Sequence, residues 1–504
     1  MNHKSWLYSI GLVLLTIMLC MNVTGVSANS GEKVIADGNV FTVYPNGADD
    51  TANIQQAFDL AKAVGPGSTV QLAAGHFRMG FVEVWDFEGY FKGAGQGVTV
   101  IDTFENMECQ ALIDNNQFPA LFTFMRGYPR ISDLSFQITP YSPCRPYHLW
   151  YVGPDWLGTN IVPLVVSTSP WNRADNCLEL RTEPVSASIE RVTIEGADGA
   201  RPNGENDPIS SNVMESIYLG GMWAFENTAG TGCRIGKFAV GEFRVVQSTF
   251  RYAFLGVTVF GLYDSQAMIG GSPTDGNRFE NILYGTFHNN LSGSRLEFSY
   301  NRMDRIYYDG IYTLQGGGEA AEIQTATEFA YLHNEITVQD YGNGIFLSDN
   351  DNLGTSTYAS TGSRINAQIK NNRLHLLGEY VWGIWLEGVD DAQITNNTIT
   401  GSSDKAILTG MWGPTRRALI KGNNLDNYSA YDGSPVKILL DWGTENYQLV
   451  GVSADEILDY GTNNVVGGQG PMGHNRSDQA VRAAMSGKIG TIMNLRGGFV
   501  QPEQ

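Results

Sequence analysis

Gly310-Ile311-Tyr312-Thr313, Gly344-Ile345-Phe346-Leu347 and Gly383-Ile384-Trp385-Leu386 are three versions of one phrase. It recurs upstream as Gly256-Val257-Thr258-Val259 and Gly285-Thr286-Phe287-His288, and downstream as Ala406-Ile407-Leu408-Thr409. The steps between them are 29, 25, 34, 39 and 23 residues. Asparagines mark a companion position at Asn334, Asn372, Asn397 and Asn424. Short alternating runs read as strands. A base period of about 25 residues, lengthened by insertions, reads as a solenoid. One coil cannot bury its apolar face alone, so stacked coils build a continuous core.

Working outward, Asp50-Thr51 precedes Ile54, Ala57, Phe58, Ala61 and Val64 at helical spacing, and Gly65-Pro66-Gly67 ends the run. Short strands follow, beginning with Ser68-Thr69-Val70-Gln71-Leu72. Residues 41–102 therefore read as a helix-bearing cap, and the regular coils as 244–468. The interval 141–175 carries Tyr141, Tyr147, Trp150, Tyr151, Trp156 and Trp171 and reads as a long aromatic insertion. Smaller insertions are expected at 199–212, 316–328 and 352–364. In the tail, residues 469–504, Ser477 precedes Val481, Ala484, Met485, Ile489, Ile492 and Met493. An amphipathic helix there is expected to cover the C-terminal end of the stack.

These features resemble the right-handed parallel β-helix proteins of the pectate-lyase superfamily, with the pectin-lyase-like fold. The cap carries the resemblance in Gly47-Ala48-Asp49-Asp50-Thr51, Ile54-Gln55, Gly67-Ser68-Thr69-Val70, Gly75-His76-Phe77 and Gly93-Ala94-Gly95. The coils carry it on to Gly461-Thr462-Asn463-Asn464-Val465-Val466-Gly467-Gly468. Ala73-Ala74 departs from the proline usual in the family. The resemblance implies an all-β, right-handed parallel β-helix over residues 29–468. It also implies a carbohydrate-active protein that cleaves a linear polysaccharide, as a lyase or a glycoside hydrolase, in a groove outside the helix. The alternative is a non-catalytic secreted β-helix that binds glycans or builds a cell surface. Polygalacturonase-type motifs are not matched, since no Gly-His-Gly follows Asp390-Asp391 in the coils, and that mechanism is not carried over.

Charge narrows the partners. The 32 Lys and Arg against 52 Asp and Glu give a formal net charge of −20. That disfavours nucleic acid, whose binding rests on phosphate neutralisation, and anionic membrane surfaces. It leaves anionic polysaccharide open through bridging Ca²⁺. Lys4, the apolar run Gly11 to Leu19 and the small-residue site Val26-Ser27-Ala28 read as a secretory signal over residues 1–28. An uncleaved anchor is the alternative. The expected destination is the medium or cell surface, or a periplasm. Cys109, Cys144, Cys177 and Cys233 remain after cleavage. They suit two disulfides in any of three connectivities, with four free thiols as the alternative. Both a monomer and a homotrimer fit an exposed β-helix face.

The candidate site follows from strand alternation. With adjacent strands about 4.8 Å apart, Ile311, Ile345, Ile384 and Ile407 face inward. Phe287, Tyr312, Phe346 and Trp385 then form an outward column suited to the C–H faces of a linear glycan, or to packing beneath an insertion. Glu387 lies two residues past Trp385 on the same face. Glu387, Asp309 and Asp349 are the candidate acid–base carboxylates, since glycoside hydrolysis needs two carboxyls about 5–9.5 Å apart. Lyase chemistry needs a base and a cation at the developing charge, and Arg305 is the candidate cation. Asp349 and Asp351 are candidate Ca²⁺ ligands. The competing reading of Asp349-Asn350-Asp351 and Asp390-Asp391 is that of turn residues.

Overall fold

Successive versions of the phrase lie side by side in parallel register. Ile311, Ile345, Ile384, Ile407, Ile438 and Ile457 form one aligned aliphatic stack inside the core. The computed structural model describes residues 34–103, 120–138, 161–169, 182–197, 213–221, 237–315, 325–349 and 364–467. An antiparallel hairpin, Val34–Asp37 with Val40–Val43, opens this part of the chain, and the coil-to-coil pairings are parallel. The fold is a parallel β-helix.

One coil shows the plan. Asp309–Gln315 belongs to the first sheet, Thr327–Leu332 to the second, and the start of Glu335–Asp349 to the third. Glu335–Asp349 then turns the corner, and its end pairs with Asp309–Gln315 as the next strand of the first sheet. The first sheet runs from Val82–Phe87 to Ile457–Asp459. Coils therefore start well before residue 244. The interval 141–175 is not one insertion either, because Val162–Ser167 is a first-sheet strand. Among the described residues no helix is long and apolar enough to cross a membrane. The signal segment, the four cysteines Cys109, Cys144, Cys177 and Cys233, and the 469–504 tail lie outside the described residues.

The N-terminal helix, α1 (Thr51–Val64), forms where the periodicity predicts and buries Ile54, Ala57, Phe58 and Ala61. Phe58 packs against Phe87, Phe91, Phe122 and Phe124 at ring distances of 5.2, 5.2, 6.3 and 5.6 Å, covering the N-terminal end of the core. Val64 is exposed instead. Asp50 precedes the helix but makes no side-chain cap bond to it. Its carboxylate accepts the backbone N–H groups of Asn46 and Arg78, tying the helix entry to the end of strand Gly75–Arg78.

The glycines of the phrase have a steric cause. A β-carbon on Gly256, Gly285, Gly310, Gly344 or Gly383 would lie 2.3–2.6 Å from the carbonyl oxygen of the next residue in the column. The same β-carbon would press on core side chains such as Met303, Ile336 or Leu374.

A second column turns the chain between the second and third sheets. Asn277, Asn301, Asn334, Asn372, Asn397 and Asn423 stack, each Nδ2 but the last donating to the next Oδ1 at 2.9–3.3 Å. Each Nδ2 also donates to a backbone carbonyl, so the amides replace ladder bonds lost at the corner. The residue before them is left-handed at Tyr300, His333, Asn371 and Asn396, with φ of 57–58°. Asn334, Asn372 and Asn397 hold the expected place, whereas the fourth is Asn423. Asn424 instead accepts the Asp426 N–H.

One polar knot lies inside the core. Thr286 Oγ1 donates to the Val257 carbonyl, so His288 Nε2–H donates to Thr286 Oγ1 at 2.8 Å. His288 Nδ1 is then an acceptor, within 3.1 Å of Tyr331 Oη and 3.2 Å of Thr313 Oγ1. Burial pushes the His288 pKa down to about 3, so the ring is neutral in the folded chain.

Two outcomes follow. Gly310→Ala forces a β-carbon against the Gly344 carbonyl at 2.6 Å and Ile336 at 2.7 Å. It should lower stability by about 1–3 kcal/mol in denaturant melts. For His288, the unfolded ring takes a proton below its ordinary pKa of about 6.5, while the folded ring does not until about pH 3. Stability should therefore fall with acidification across that window, by up to about 1.4 kcal/mol per pH unit from this one group. His288→Gln should flatten the slope between pH 6.5 and 5, measured as the difference from the parent protein.

Candidate functional site

The three sheets differ on their outer faces. In the second sheet, Ile365–Lys370 alternates buried and exposed positions. In the first sheet, Tyr284–Ser292, Glu215–Gly220 and Lys405–Thr409 are buried at every position. A strand buried on both faces has something packed on its outside.

The aromatic column is there. Phe287 pairs with Tyr312, Tyr312 with Phe346 and Phe346 with Trp385, at ring distances of 5.5, 5.3 and 5.3 Å. The column ends on Trp412, 4.6 Å from Trp385. It is not an open groove, for exposure falls from 8% at Phe287 to 1% at Trp385. These rings form the middle of a second apolar cluster, outside the helix. The expectation that the four rings present their faces to a glycan is corrected accordingly. Alternation put them outside, but strand pattern carries no information on what lies over them.

Glu387 is on the expected face and wholly buried. Its Oε1 accepts Trp385 Nε1–H at 2.5 Å and the Met411 N–H at 2.9 Å. Its Oε2 accepts the N–H groups of Trp412 and Gly413 at 2.9 and 3.1 Å. Burial pushes the carboxyl up to about 7, against four donors that each favour the ionised form. With both oxygens engaged, Glu387 anchors the 411–413 turn and fixes the Trp385 ring. The partners Met411, Trp412 and Gly413 were missed because they lie 24–26 residues on, one coil away.

Asp309 is also wholly buried, and its Oδ1 accepts the Asn343 backbone N–H at 2.8 Å and one Nδ2–H at 2.6 Å. Asp349 is buried at the end of its strand. It accepts the Arg364 N–H at 2.5 Å and pairs with the Arg364 guanidinium at 3.1 Å. An anion committed to a buried arginine is a poor Ca²⁺ ligand. Among the described residues no group of three or more His, Cys, Asp or Glu is arranged to hold a metal. Asp351 lies outside the described residues. Arg305 is exposed on the third sheet with a φ of 57°, away from the aromatic face. The register sets Glu387 beside Ser348, one residue from Asp349 on the neighbouring strand, Asp309 stands at the other end of the first sheet's strands, and Arg305 lies on the third sheet. Asp390 and Asp391 do behave as corner residues. Asp391 has a φ of 58°, and Arg417 bonds to both carboxylates at 3.2 and 2.8 Å.

The chain's connectivity marks this face. Seven internal stretches lie outside the described residues: 104–119, 139–160, 170–181, 198–212, 222–236, 316–324 and 350–363. Each joins the described chain at an edge of the first sheet, between it and the third sheet or between it and the second. None joins the second sheet to the third. Cys109, Cys144, Cys177 and Cys233 each fall in a different one of these stretches.

No family model matches the sequence, and no curated protein is significantly similar to it. Solved structures do match. The mannuronan C-5 epimerase AlgE4 A-module of Azotobacter vinelandii shares 16% identity over 85% of this chain and 96% of its own, with a TM-score of 0.35. A tailspike protein of E. coli bacteriophage HK620, solved with a pentasaccharide, shares 10% identity over 84% and 76%, with a TM-score of 0.43. The catalytic unit of a GH87 α-1,3-glucanase from Streptomyces thermodiastaticus shares 12% over 90% and 70%, with a TM-score of 0.37. At these identities and scores the similarity says nothing of activity. The assignment of a parallel β-helix rests on the strand register itself.

The role of Glu387 has a direct test. Glu387→Gln sets an amide NH₂ against backbone N–H donors and should cost about 1–3 kcal/mol in thermal or denaturant unfolding. A variant of native stability that loses activity on a glycan would contradict the anchoring role.

Proposed function

We propose that the protein is an exported β-helix that engages a polysaccharide on the first-sheet side of the helix, by binding rather than by bond cleavage on the described face. One observation carries the reading. The outer face of the first sheet is the aromatic one, and all seven internal stretches outside the described residues join at its edges. In a solenoid, per-repeat insertions map to one face, and that face is often the binding face. Buried aromatic rings beneath such a face give it a rigid floor.

Binding is favoured over cleavage by the state of the carboxylates. Glu387, Asp309 and Asp349 are each buried and hydrogen-bonded within the protein. Acid–base catalysis needs carboxyls within reach of a glycosidic oxygen or an acidic proton. Export rests on the N-terminal reading of residues 1–28, and the net charge of −20 favours a neutral glycan, or an anionic one only with a bridging cation.

The test is a panel of pectic, alginate, xylan and neutral glucan substrates, each with Ca²⁺ and with chelator. Retention on one polysaccharide without new reducing ends or unsaturated uronate absorbance is the expected result. New reducing ends, or that absorbance, would overturn the non-catalytic reading. Absence of retention on every polysaccharide would overturn glycan engagement.

A further inference from the structure

We propose that Arg130, with the two tyrosines beneath it, is a subsite for a uronic acid residue on the outer face of the second sheet, near the N-terminal end of the helix. Ala120–Gly127 ends a first-sheet strand, Tyr128 and Pro129 turn the chain, and Arg130–Gln137 begins in the second sheet. Ile131 is buried in the core, so Arg130 and Ser132 on either side of it face out. The register sets Tyr90 of the strand Tyr90–Lys92 on one side of Arg130, and Ser188 of the strand Ala187–Glu195 on the other. This site goes beyond the first-sheet reading above and does not depend on it.

The guanidinium of Arg130 stands over two aromatic rings, 4.3 Å from the centre of Tyr128 and 5.1 Å from that of Tyr90. Cation–π contacts of this kind hold the side chain in place and leave its N–H edge free to donate. Among the described residues that edge has no hydrogen-bond acceptor and no carboxylate partner. Arg126, four residues earlier, makes the contrast. It lies 5.3 Å from the centre of the Trp85 ring, but Asp86 takes its charge at 2.7 Å. Arg191, Arg295 and Arg302, elsewhere on the outside of the helix, are each matched by a carboxylate as well. Asp133 and Glu190, on the strand of Arg130 and the next one, are both held by Arg191. Arg130 is half-buried and Tyr90 is 44% exposed, so a ligand in solution can reach both. Lys92, two residues past Tyr90 on the same face, adds a second cation.

The edge of a guanidinium presents parallel N–H groups that fit a planar carboxylate as a fork. The exposed Tyr90 ring beside it offers an apolar surface to the C–H face of a pyranose. Ser188 offers a hydroxyl about 4.8 Å further on, across one strand spacing. A carboxylate, a ring with C–H faces and free hydroxyls are combined in one small unit by a uronic acid. A neutral sugar would leave the cation unanswered, and an acidic peptide would bring the carboxylate without the ring. The net charge of −20 does not oppose this. Charges beyond about 10 Å are largely screened at ordinary ionic strength, so Arg130 and Lys92 set the local field. Uronate binding here needs no bridging cation.

The full protein is titrated by calorimetry, in chelator, with hexagalacturonate and hexamannuronate, with cellohexaose as the neutral comparison and hexaglutamate as the carboxylate without a sugar. The expected result is saturable binding of one uronate hexamer without Ca²⁺, weakened at least about tenfold in Arg130→Gln and weakened also in Tyr90→Ala. Thermal melts show that the variants are folded. Should Arg130→Gln fail to fold, Arg130→Lys keeps the charge, removes the fork and carries the same test. If neither uronate binds, or Arg130→Gln binds them equally well, Arg130 only packs on its two tyrosines and the subsite falls. Retention of a polysaccharide in the panel above would then leave the first-sheet reading standing. If hexaglutamate binds as tightly and with the same dependence on Arg130, the uronate assignment falls. Polysaccharide retention that disappears entirely in Arg130→Gln would uphold this subsite and overturn the first-sheet reading instead.

Discussion

A carbonyl oxygen occupies the place where a β-carbon would be. That close approach, repeated from Gly256 through Gly383, is the constraint on which the rest of the molecule depends. It lets each coil sit on the next at the corner between the third and first sheets, and it locks their register. Because side chains alternate along a strand, a slip of one residue would exchange the inner and outer sets. With the glycines in line, the isoleucines after them stack in the core and the aromatic residues after those stack outside. The residues just before the glycines are brought into a third line. Core, outer aromatic cluster and polar row are three consequences of one steric alignment.

The same regularity made the fold legible. Short sequence phrases repeat because every coil meets the same neighbours, so glycine, isoleucine and aromatic positions identified the first sheet and its inward and outward faces. The asparagine ladder was equally visible, with one error that is informative. Asn423 and Asn424 are adjacent, and only the left-handed residue before the ladder position distinguishes them. Gly422, with a φ of 65°, is that residue. Asparagine also tolerates positive φ, as Asn371 and Asn396 show, so the sequence alone leaves Asn423 and Asn424 equivalent and the backbone at Gly422 decides between them.

The candidate site was legible in position and illegible in state. Glu387 and Trp385 are where alternation placed them, yet their solvent exposure depends on residues a coil or more away. The N–H groups that occupy Glu387 come from Met411, Trp412 and Gly413, whose backbone donors leave no mark in side-chain identity. Asp349 is answered by Arg364 across an interval of fifteen residues, with no periodic signal to link them. Periodicity reports what recurs in every coil, whereas a site depends on what breaks the recurrence. Lengths of 29, 25, 34, 39 and 23 residues between phrases already showed that the breaks are unevenly distributed.

Those breaks have a physical reason to gather at one face. The corner between the second and third sheets is closed by a continuous amide ladder whose members bond to coils on both sides. One short turn, Ser272–Asp275, is accommodated there just ahead of Asn277, and the ladder stays whole because Asn277 still pairs with Asn301. The corners flanking the first sheet carry no such unbroken ladder. The ion pairs of Asp390, Asp391 and Arg417 at one of them span single coil steps and can be lost one at a time. All seven internal stretches outside the described residues leave the described chain beside the first sheet, whose outer cluster is rich in aromatic residues.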